Sequence, residues 1–311
     1  MPVKKRVSKM RRRVKKKQVT KKDVKTIAKQ VFNKNVESKY FKTQDASSLT
    51  ELIPRNIQTG SNMTCYGFCT GNRLNVQTGS LWQYGTGTMT TLNLNRLYTS
   101  QDAAPTDQFV LEGLYCNPSF AQSRFIVERM ENDFSAADVP AARALPYYVR
   151  ILRIMPRTQL TSKQGVDPTL DAFLDTNGIA AGISTANFSK LQLMTLKPNT
   201  RKYKVIQDIK YIENSPLVYN DLDIGDGAVQ VSPTGHPGMR TFNFRHDLGK
   251  RLYYNNPDPI TGGNVYPESG FNNEFILYHF QTLGDASSFE TRTSAKSVRI
   301  SATAVSSFKD A

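Results

Sequence analysis

Beyond about residue 43, clusters of Gly, Asn, Thr and Ser separate short apolar stretches, and several of these stretches alternate apolar with polar residues. The clearest are residues 201–212, 240–248 and 297–308. Such alternation is typical of β-strands with one face in a core and one face outward. The predicted core-facing residues are Tyr203, Val205, Ile209 and Tyr211 in the first stretch, Phe242, Phe244 and Leu248 in the second, and Val298, Ile300, Ala302, Ala304 and Phe308 in the third.

Other candidate strands alternate less regularly, at residues 89–98, 108–115 and 124–130. Residues 147–155 and 274–282 are nearly continuous apolar runs, which is typical of central strands. No long amphipathic helix interrupts this body, so the pattern favours an antiparallel sandwich or barrel over alternating βαβ units. The sequence therefore predicts an all-β fold with long loops.

A helical period appears only near the N-terminus, in residues 21–40. Its apolar positions are three or four residues apart, with lysines on the other faces; they are Val24, Ile27, Ala28, Val31 and Phe32. This pattern predicts a short basic amphipathic helix that packs on the body or on nucleic acid. The alternative is a marginal helix that forms only when bound.

Charge divides the chain into two parts. Residues 1–42 contain seventeen Lys and Arg against two acids, a net charge of +15, whereas the remaining 269 residues carry 24 bases and 24 acids. A block of like charge resists collapse and usually acts as an interaction tail. We therefore predict a basic, largely disordered arm over residues 1–42 and a folded domain over residues 43–311.

The partner of such an arm is expected to be a nucleic acid, since Lys and Arg neutralise phosphates without reading sequence. The predicted nucleic-acid-binding residues are Lys4, Lys5, Arg6, Lys9, Arg11, Arg12, Arg13, Lys15, Lys16, Lys17, Lys21 and Lys22. No aromatic residue precedes Phe32, so the arm offers no ring on which bases could stack.

Catalytic and metal-binding signatures are weak. The three histidines, His236, His246 and His279, lie in different segments, and no local signature of a catalytic triad or a phosphate-binding loop accompanies them. The sequence therefore predicts neither an enzyme nor a cofactor. The basic start is not followed by an apolar segment, and no apolar run is long enough to span a membrane, so neither a secretion signal nor a membrane partner is expected.

Two further groups contain residue types that can bind metal ions. The turn with Asp221, Asp223 and Asp226 is a weak calcium candidate, because its spacing misses the EF-hand pattern by one residue. An acidic surface turn is the alternative. The three cysteines form no zinc pattern and are predicted to be small buried apolar residues; they are Cys65, Cys69 and Cys116.

The order of several motifs resembles the capsid proteins of circovirus-like single-stranded DNA viruses that encode a replication initiator. After the Arg/Lys-rich start, the motifs are SRFIVERM, YYVRILRIMPR, DPTLDAFL, RKYKVIQDIKYI and NEFILYHF, followed by a last strand that ends in FKD. The likeness covers about residues 120–311 and the arm.

This resemblance implies a single jelly roll, an antiparallel β-sandwich, that self-assembles into an icosahedral virion shell with the arms inward on a single-stranded DNA genome. It also implies assembly in the host nucleus through a nuclear import receptor; the cell-surface receptor is unknown. The implied nuclear localisation residues are Lys4, Lys5, Arg6, Arg11, Arg12, Arg13, Lys15, Lys16 and Lys17. A homo-oligomer of about sixty copies would place about 900 positive charges inside the shell.

Three other hypotheses stay open. A small RNA virus coat protein can have the same jelly roll and arm, because phosphate contacts do not distinguish RNA from DNA. A non-viral nucleic-acid-binding β protein, or an enzyme with a cationic tail, would also fit the charge distribution.

Overall fold

The computed structural model of the chain describes residues 20–35, 38–42, 51–54, 64–71, 90–97, 111, 113–129, 146–157, 168–182, 194–214, 217–220, 230–233, 238–254, 267–282 and 296–310. Two compact units are present, Met1–Glu37 and Ser38–Ala311. This division lies five residues before the boundary that the charge distribution indicates.

The helices of the described residues are α1 (Lys21–Asn35) and α2 (Pro168–Asp171). The strands are β1 (Ser38–Lys42), β2 (Glu51–Pro54), β3 (Thr64–Cys69), β4 (Thr90–Thr91), β5 (Tyr115–Arg129), β6 (Tyr147–Pro156), β7 (Phe173–Leu174), β8 (Ala180–Ala181), β9 (Lys197–Pro198), β10 (Tyr203–Glu213), β11 (Leu217–Asn220), β12 (Gln230–Pro233), β13 (Met239–Arg245), β14 (Gly249–Tyr253), β15 (Ser269–Phe271), β16 (Phe275–Thr282) and β17 (Lys296–Asp310). Strands therefore dominate the described chain.

Helix α1 begins where the sequence predicts a helix and is capped by its own residues. The Thr20 N–H donates to Asp23 Oδ2 at 2.9 Å, and the Asp23 N–H donates to Thr20 Oγ1 at 3.2 Å. This reciprocal cap satisfies N–H groups that the first helical turn cannot pair internally. The same hydrogen bonds, that from the Thr20 backbone first, hold the pKa of Asp23 below its ordinary value.

The helix ends five residues before Tyr40, where the prediction placed its end. Residues from Ser38 onward form β1 instead, which pairs antiparallel with β17, from Ser38 opposite Lys309 to Lys42 opposite Val305. Tyr40 and Phe41 favour strands. The predicted helix was too long because local periodicity cannot reveal a strand partner so distant in the chain.

The first sheet has the strand order β1-β17-β5-β14-β15, with β2 also paired to β17 and β13 also paired to β5. Its two longest strands, β5 and β17, run antiparallel from Val298 opposite Arg129 to Asp310 opposite Cys116. The second sheet has the order β10-β6-β16-β3-β4, in which only the short β3–β4 pair is parallel. Antiparallel pairing thus dominates both sheets, as the sequence predicts.

The main hydrophobic core lies between the two sheets. It combines Phe125 and Ile300 from the first sheet with Phe68, Ile151 and Tyr278 from the second. The rings of Phe68 and Phe125 meet edge to face with centroids 4.9 Å apart. Side chains from both sheets therefore fill one shared core, and the domain is a β-sandwich.

Several strand predictions are confirmed. All ten residues of β6 are buried, and β6 and β16 occupy the middle of the second sheet, as expected for continuous apolar runs. The predicted core-facing residues of β17 are all buried, and Phe244 and Leu248 are buried in the 240–248 stretch. Predictions at 89–98 and 108–115 were too long, because among the described residues of these stretches (90–97, 111 and 113–115) only Thr90–Thr91 and Tyr115 are in strands.

Strand β10 departs from the predicted alternation. Its register against β6 shifts between Val205 and Gln207, which leaves Ile206 as the extra residue of a β-bulge. Because one extra residue reverses which side chains face each way, Tyr203 and Val205 pack on one side of the sheet, whereas Ile209 and Tyr211 pack on the other. The prediction that these four side chains share one face was therefore wrong.

A third layer covers the outer face of the second sheet. The strands β8, β7 and β9 form a small antiparallel sheet, here called the insert sheet. Phe173 and Ala181 of the insert sheet share a second hydrophobic cluster with Tyr148 and Leu152 of β6. This cover explains why β6 is buried on both faces.

Candidate functional site

Most of the predicted nucleic-acid-binding residues lie outside the described residues, including all of those proposed for nuclear localisation. Lys21 and Lys22 are described, and both are exposed in the first turn of α1. Lys25 is exposed one turn further on. The described part of the arm therefore offers an accessible basic surface to a polyanion.

The described members of the predicted apolar stripe of α1 are also exposed. Val24, Ile27 and Val31 have 55%, 54% and 53% of their surface accessible. The described part of α1 therefore carries both basic and apolar side chains that are accessible.

The weak calcium candidate, Asp221, Asp223 and Asp226, lies outside the described residues. Within the part of the chain that the structure describes, no group of three or more His, Cys, Asp and Glu side chains could hold a metal ion. Two of the predicted buried cysteines, Cys69 and Cys116, are fully buried, and burial raises the pKa of the Cys69 thiol to about 12.

A buried polar network that the sequence pattern does not indicate connects Ser123, His246 and Glu274. Ser123 Oγ lies 2.7 Å from His246 Nε2, and His246 Nδ1 lies 2.9 Å from Glu274 Oε2. Serine, imidazole and carboxylate are therefore connected in the order of a hydrolase triad. Only the folded structure brings them together, since 123 positions separate Ser123 from His246.

Arg153 completes this network. Its Nε donates to Glu274 Oε1 at 2.5 Å, its Nη1 donates to Gln207 Oε1 at 3.0 Å, and its Nη2 donates to the Arg245 carbonyl at 2.7 Å. The guanidinium carbon also lies 4.4 Å from the centre of the Phe244 ring. Both oxygens of the carboxylate of Glu274 thus have a partner.

Burial decides what this network can do. The side chains of His246 and Glu274 are 0% and 1% exposed, and Ser123 is 1% exposed. A nucleophile must reach its substrate, and the Ser123 hydroxyl is enclosed between the sheets. Because β5 carries Ser123 and β6 carries Arg153, the network instead connects the two sheets.

A second buried cation fixes the insert sheet to β6. Arg150 is fully buried and binds both carboxylate oxygens of Asp208, through Nε at 2.9 Å and Nη2 at 2.8 Å. Its Nη2 also donates to the Leu196 carbonyl at 2.8 Å, and its guanidinium carbon lies 5.0 Å from the centre of the Phe173 ring. Arg150 of β6 therefore contacts both Asp208 of β10 and the residues Leu196 and Phe173 at the insert sheet.

His279 lies near Arg150 and differs from His246 in its surroundings. Burial, with the positive charge of Arg150 as the second cause, lowers the pKa of His279 to about 3. Its ring centre is 5.3 Å from that of Phe173. The imidazole is therefore neutral at physiological pH and acts as an apolar packing group.

Neither a protein-family model nor a curated protein matches the chain. Among the described residues, no helix has the length and apolar character needed to cross a membrane.

Proposed function

We propose that this chain is the capsid protein of a circovirus-like virus, and that it packages a single-stranded DNA genome with its cationic arm. The observation that carries the proposal is the combination of an antiparallel β-sandwich, neutral over residues 43–311, with an N-terminal segment, residues 1–42, that holds the whole net charge of +15. Structural proteins of this kind need a rigid shell domain and a separate polyanion-binding segment. The order of motifs in residues 120–311 adds support.

Strand order supports the finer proposal of a jelly roll, a sandwich of eight strands arranged as two Greek keys. Eight described strands can be taken in chain order as β2, β3, β5, β6, β10, β13, β16 and β17. The first, eighth, third and sixth are neighbours in the first sheet, and the second, seventh, fourth and fifth are neighbours in the second sheet. This order is the one that the jelly-roll proposal requires.

The proposed role of the arm follows from its charge. Lys and Arg bind phosphates and release counterions, which gives strong, salt-dependent affinity with no preference for sequence. The exposed lysines at the start of α1 add accessible positive charge to this segment of the sequence. The host nucleus is the proposed site of assembly, and the same basic residues would bind a nuclear import receptor.

No enzymatic role is proposed. The one triad-like arrangement that we found in the described residues, Ser123, His246 and Glu274, is enclosed, and its geometry is accounted for by its connection of the two sheets.

Nuclease digestion of purified particles tests the packaging proposal. Nucleic acid extracted from particles assembled in the native host should be degraded by a single-strand-specific DNase and resist RNase. Nucleic acid that is degraded only by RNase would contradict the proposal and indicate the coat protein of an RNA virus instead. Particles without nucleic acid, whose arm residues are nonetheless intact, would contradict packaging by the arm.

A further inference from the structure

A second charged feature lies in the folded domain, far along the chain from the arm. A cleft of about 420 Å³, here called the cationic cleft, lies beside the end of β6, the β7–β8 turn and the turn that precedes β10. Its polar lining consists of Arg157, Asn199, Arg201 and Lys202, and its apolar lining includes Leu174 and Ala180. We propose that this cleft binds a phosphate or sulfate group carried on a small ring compound.

The charge of the lining favours an anion. Three described lining residues are cations and none is an acid. The nearby carboxylate of Asp171 is already engaged, since Lys202 Nζ forms an ion pair with its Oδ2 and the Tyr203 hydroxyl donates to its Oδ1 at 2.6 Å. The Asp175 carboxylate accepts hydrogen bonds from the N–H groups of Asn177 and Ile179 within its own turn. An oxyanion would therefore meet the guanidinium groups of Arg157 and Arg201, which form no ion pair within the described ranges.

Both guanidinium groups are held in place while most of their donors stay available. Arg157 Nε donates to the Thr200 carbonyl at 2.7 Å, and Arg201 Nη1 donates to the Gly178 carbonyl at 3.2 Å. A guanidinium has five N–H groups in a planar fork that matches tetrahedral oxyanions. Within the described ranges, these carbonyls are the only hydrogen-bond partners of the two guanidinium groups. Each arginine thus keeps N–H groups for a ligand.

The side chain of Asn199 holds the turn before β10 at one side of the cleft. The residue is 4% exposed; Nδ2 donates to the Asp171 carbonyl at 3.0 Å, and Oδ1 accepts from the Lys202 N–H at 3.4 Å. The turn that carries two of the three cations is therefore ordered before a ligand arrives, which lowers the entropic cost of binding.

Size and lining set the class of ligand. A volume of about 420 Å³ falls within the usual range of small-molecule sites, and Leu174 and Ala180 offer an apolar wall to a ring. A phosphorylated sugar, a nucleoside monophosphate and a sulfated sugar share this chemistry. The inference does not depend on shell formation, because it concerns one subunit's own residues.

The test uses Lys202 as a reporter within the full chain. Limited acetylation, read by mass spectrometry, compares Lys202 with Lys204, which is exposed and does not line the cleft. Adenosine monophosphate, glucose 6-phosphate and glucosamine 6-sulfate are added separately at millimolar concentrations. We expect at least one of them to slow the acetylation of Lys202 without slowing that of Lys204. Protection by the phosphate esters alone would show that the cleft selects phosphate, and protection by the sulfate ester alone would show that it selects sulfate.

Matched variants distinguish anion binding in the cleft from anion binding to the arm, which is also positively charged. Arg201→Ala should weaken the protecting affinity on the order of tenfold, since it removes a charge-assisted hydrogen-bonding group. Arg201→Lys should weaken it less, and Arg251→Ala, on the first sheet, should leave it unchanged. Equal protection of Lys202 and Lys204, or no protection by any of the three compounds in the wild-type chain, would overturn the proposal.

Discussion

Glu274 is the residue on which the buried polar network depends. Glu274→Gln removes the negative charge opposite Arg153 and leaves a buried guanidinium without its counter-ion. Breaking a buried ion pair from one side costs roughly 3–5 kcal/mol. We expect the free energy of unfolding, measured with denaturant, to fall by about this amount.

The control for this prediction is Glu128→Gln, which breaks the exposed pair between Glu128 and Arg299, whose side chains are 37% and 41% exposed. Exposed pairs contribute about 0–1 kcal/mol. Equal losses in the two variants would show that the network does not connect the sheets as described.

His279 gives the fold a pH dependence with a defined sign. Because its pKa is about 3 in the folded chain and near 6.5 when unfolded, the unfolded state binds the extra proton between these values. Stability should therefore fall as pH falls from 6.5 towards 3, with a slope of at most about 1.4 kcal/mol per pH unit from this group. His279→Gln should remove that part of the slope in denaturant titrations across the pH range. An unchanged slope would mean that His279 is not buried in its neutral form.

At the level of elements, the arm should bind through charge alone. A peptide of residues 1–20 should bind single-stranded oligonucleotides of different sequence with similar affinity. Log affinity should fall with log salt concentration by about 0.7 per phosphate neutralised. Replacing Arg11, Arg12 and Arg13 by Gln should reduce the magnitude of the slope by about 2, whereas replacement by Lys should change it little. A strong preference for one sequence would contradict binding by charge.

The elements also differ in how far the sequence could predict them. The strands β13 and β17 follow regular alternation, and β6 and β16 follow continuous apolar runs, so local pattern was sufficient for them. Strand β10 was predicted as an element, but its bulge at Ile206 was not, because one extra residue leaves no mark in the hydrophobic pattern. The partners Ser123 and His246 were unpredictable for another reason, since only the pairing of β5 with β13 brings their segments together.

The pairing of strand β1 leads to a further prediction. The strand pairs with β17 over all five of its residues, although the charge distribution assigned it to the arm. A chain of residues 38–311 should therefore be more stable to heat than a chain of residues 43–311, which lacks β1 and exposes an edge of β17. Identical melting temperatures would show that β1 adds nothing to the first sheet.

At the level of the whole molecule, residues 43–311 are neutral, whereas residues 1–42 carry the whole net charge of +15. The sandwich has a core shared by two sheets and a third layer over the second sheet. In the proposed shell, the neutrality of residues 43–311 would let copies approach one another without long-range repulsion, and the arm would supply the attraction for nucleic acid. Both properties are needed for a shell that forms around a genome.

The molar mass of the full chain, measured by light scattering in the presence of single-stranded DNA, tests this central claim most directly. A closed shell of about sixty subunits would have a protein mass of about 2 MDa, and electron microscopy of the same fraction should show uniform round particles. A mass close to that of one chain, 34.9 kDa, with DNA bound, would contradict the shell and favour a monomeric nucleic-acid-binding protein.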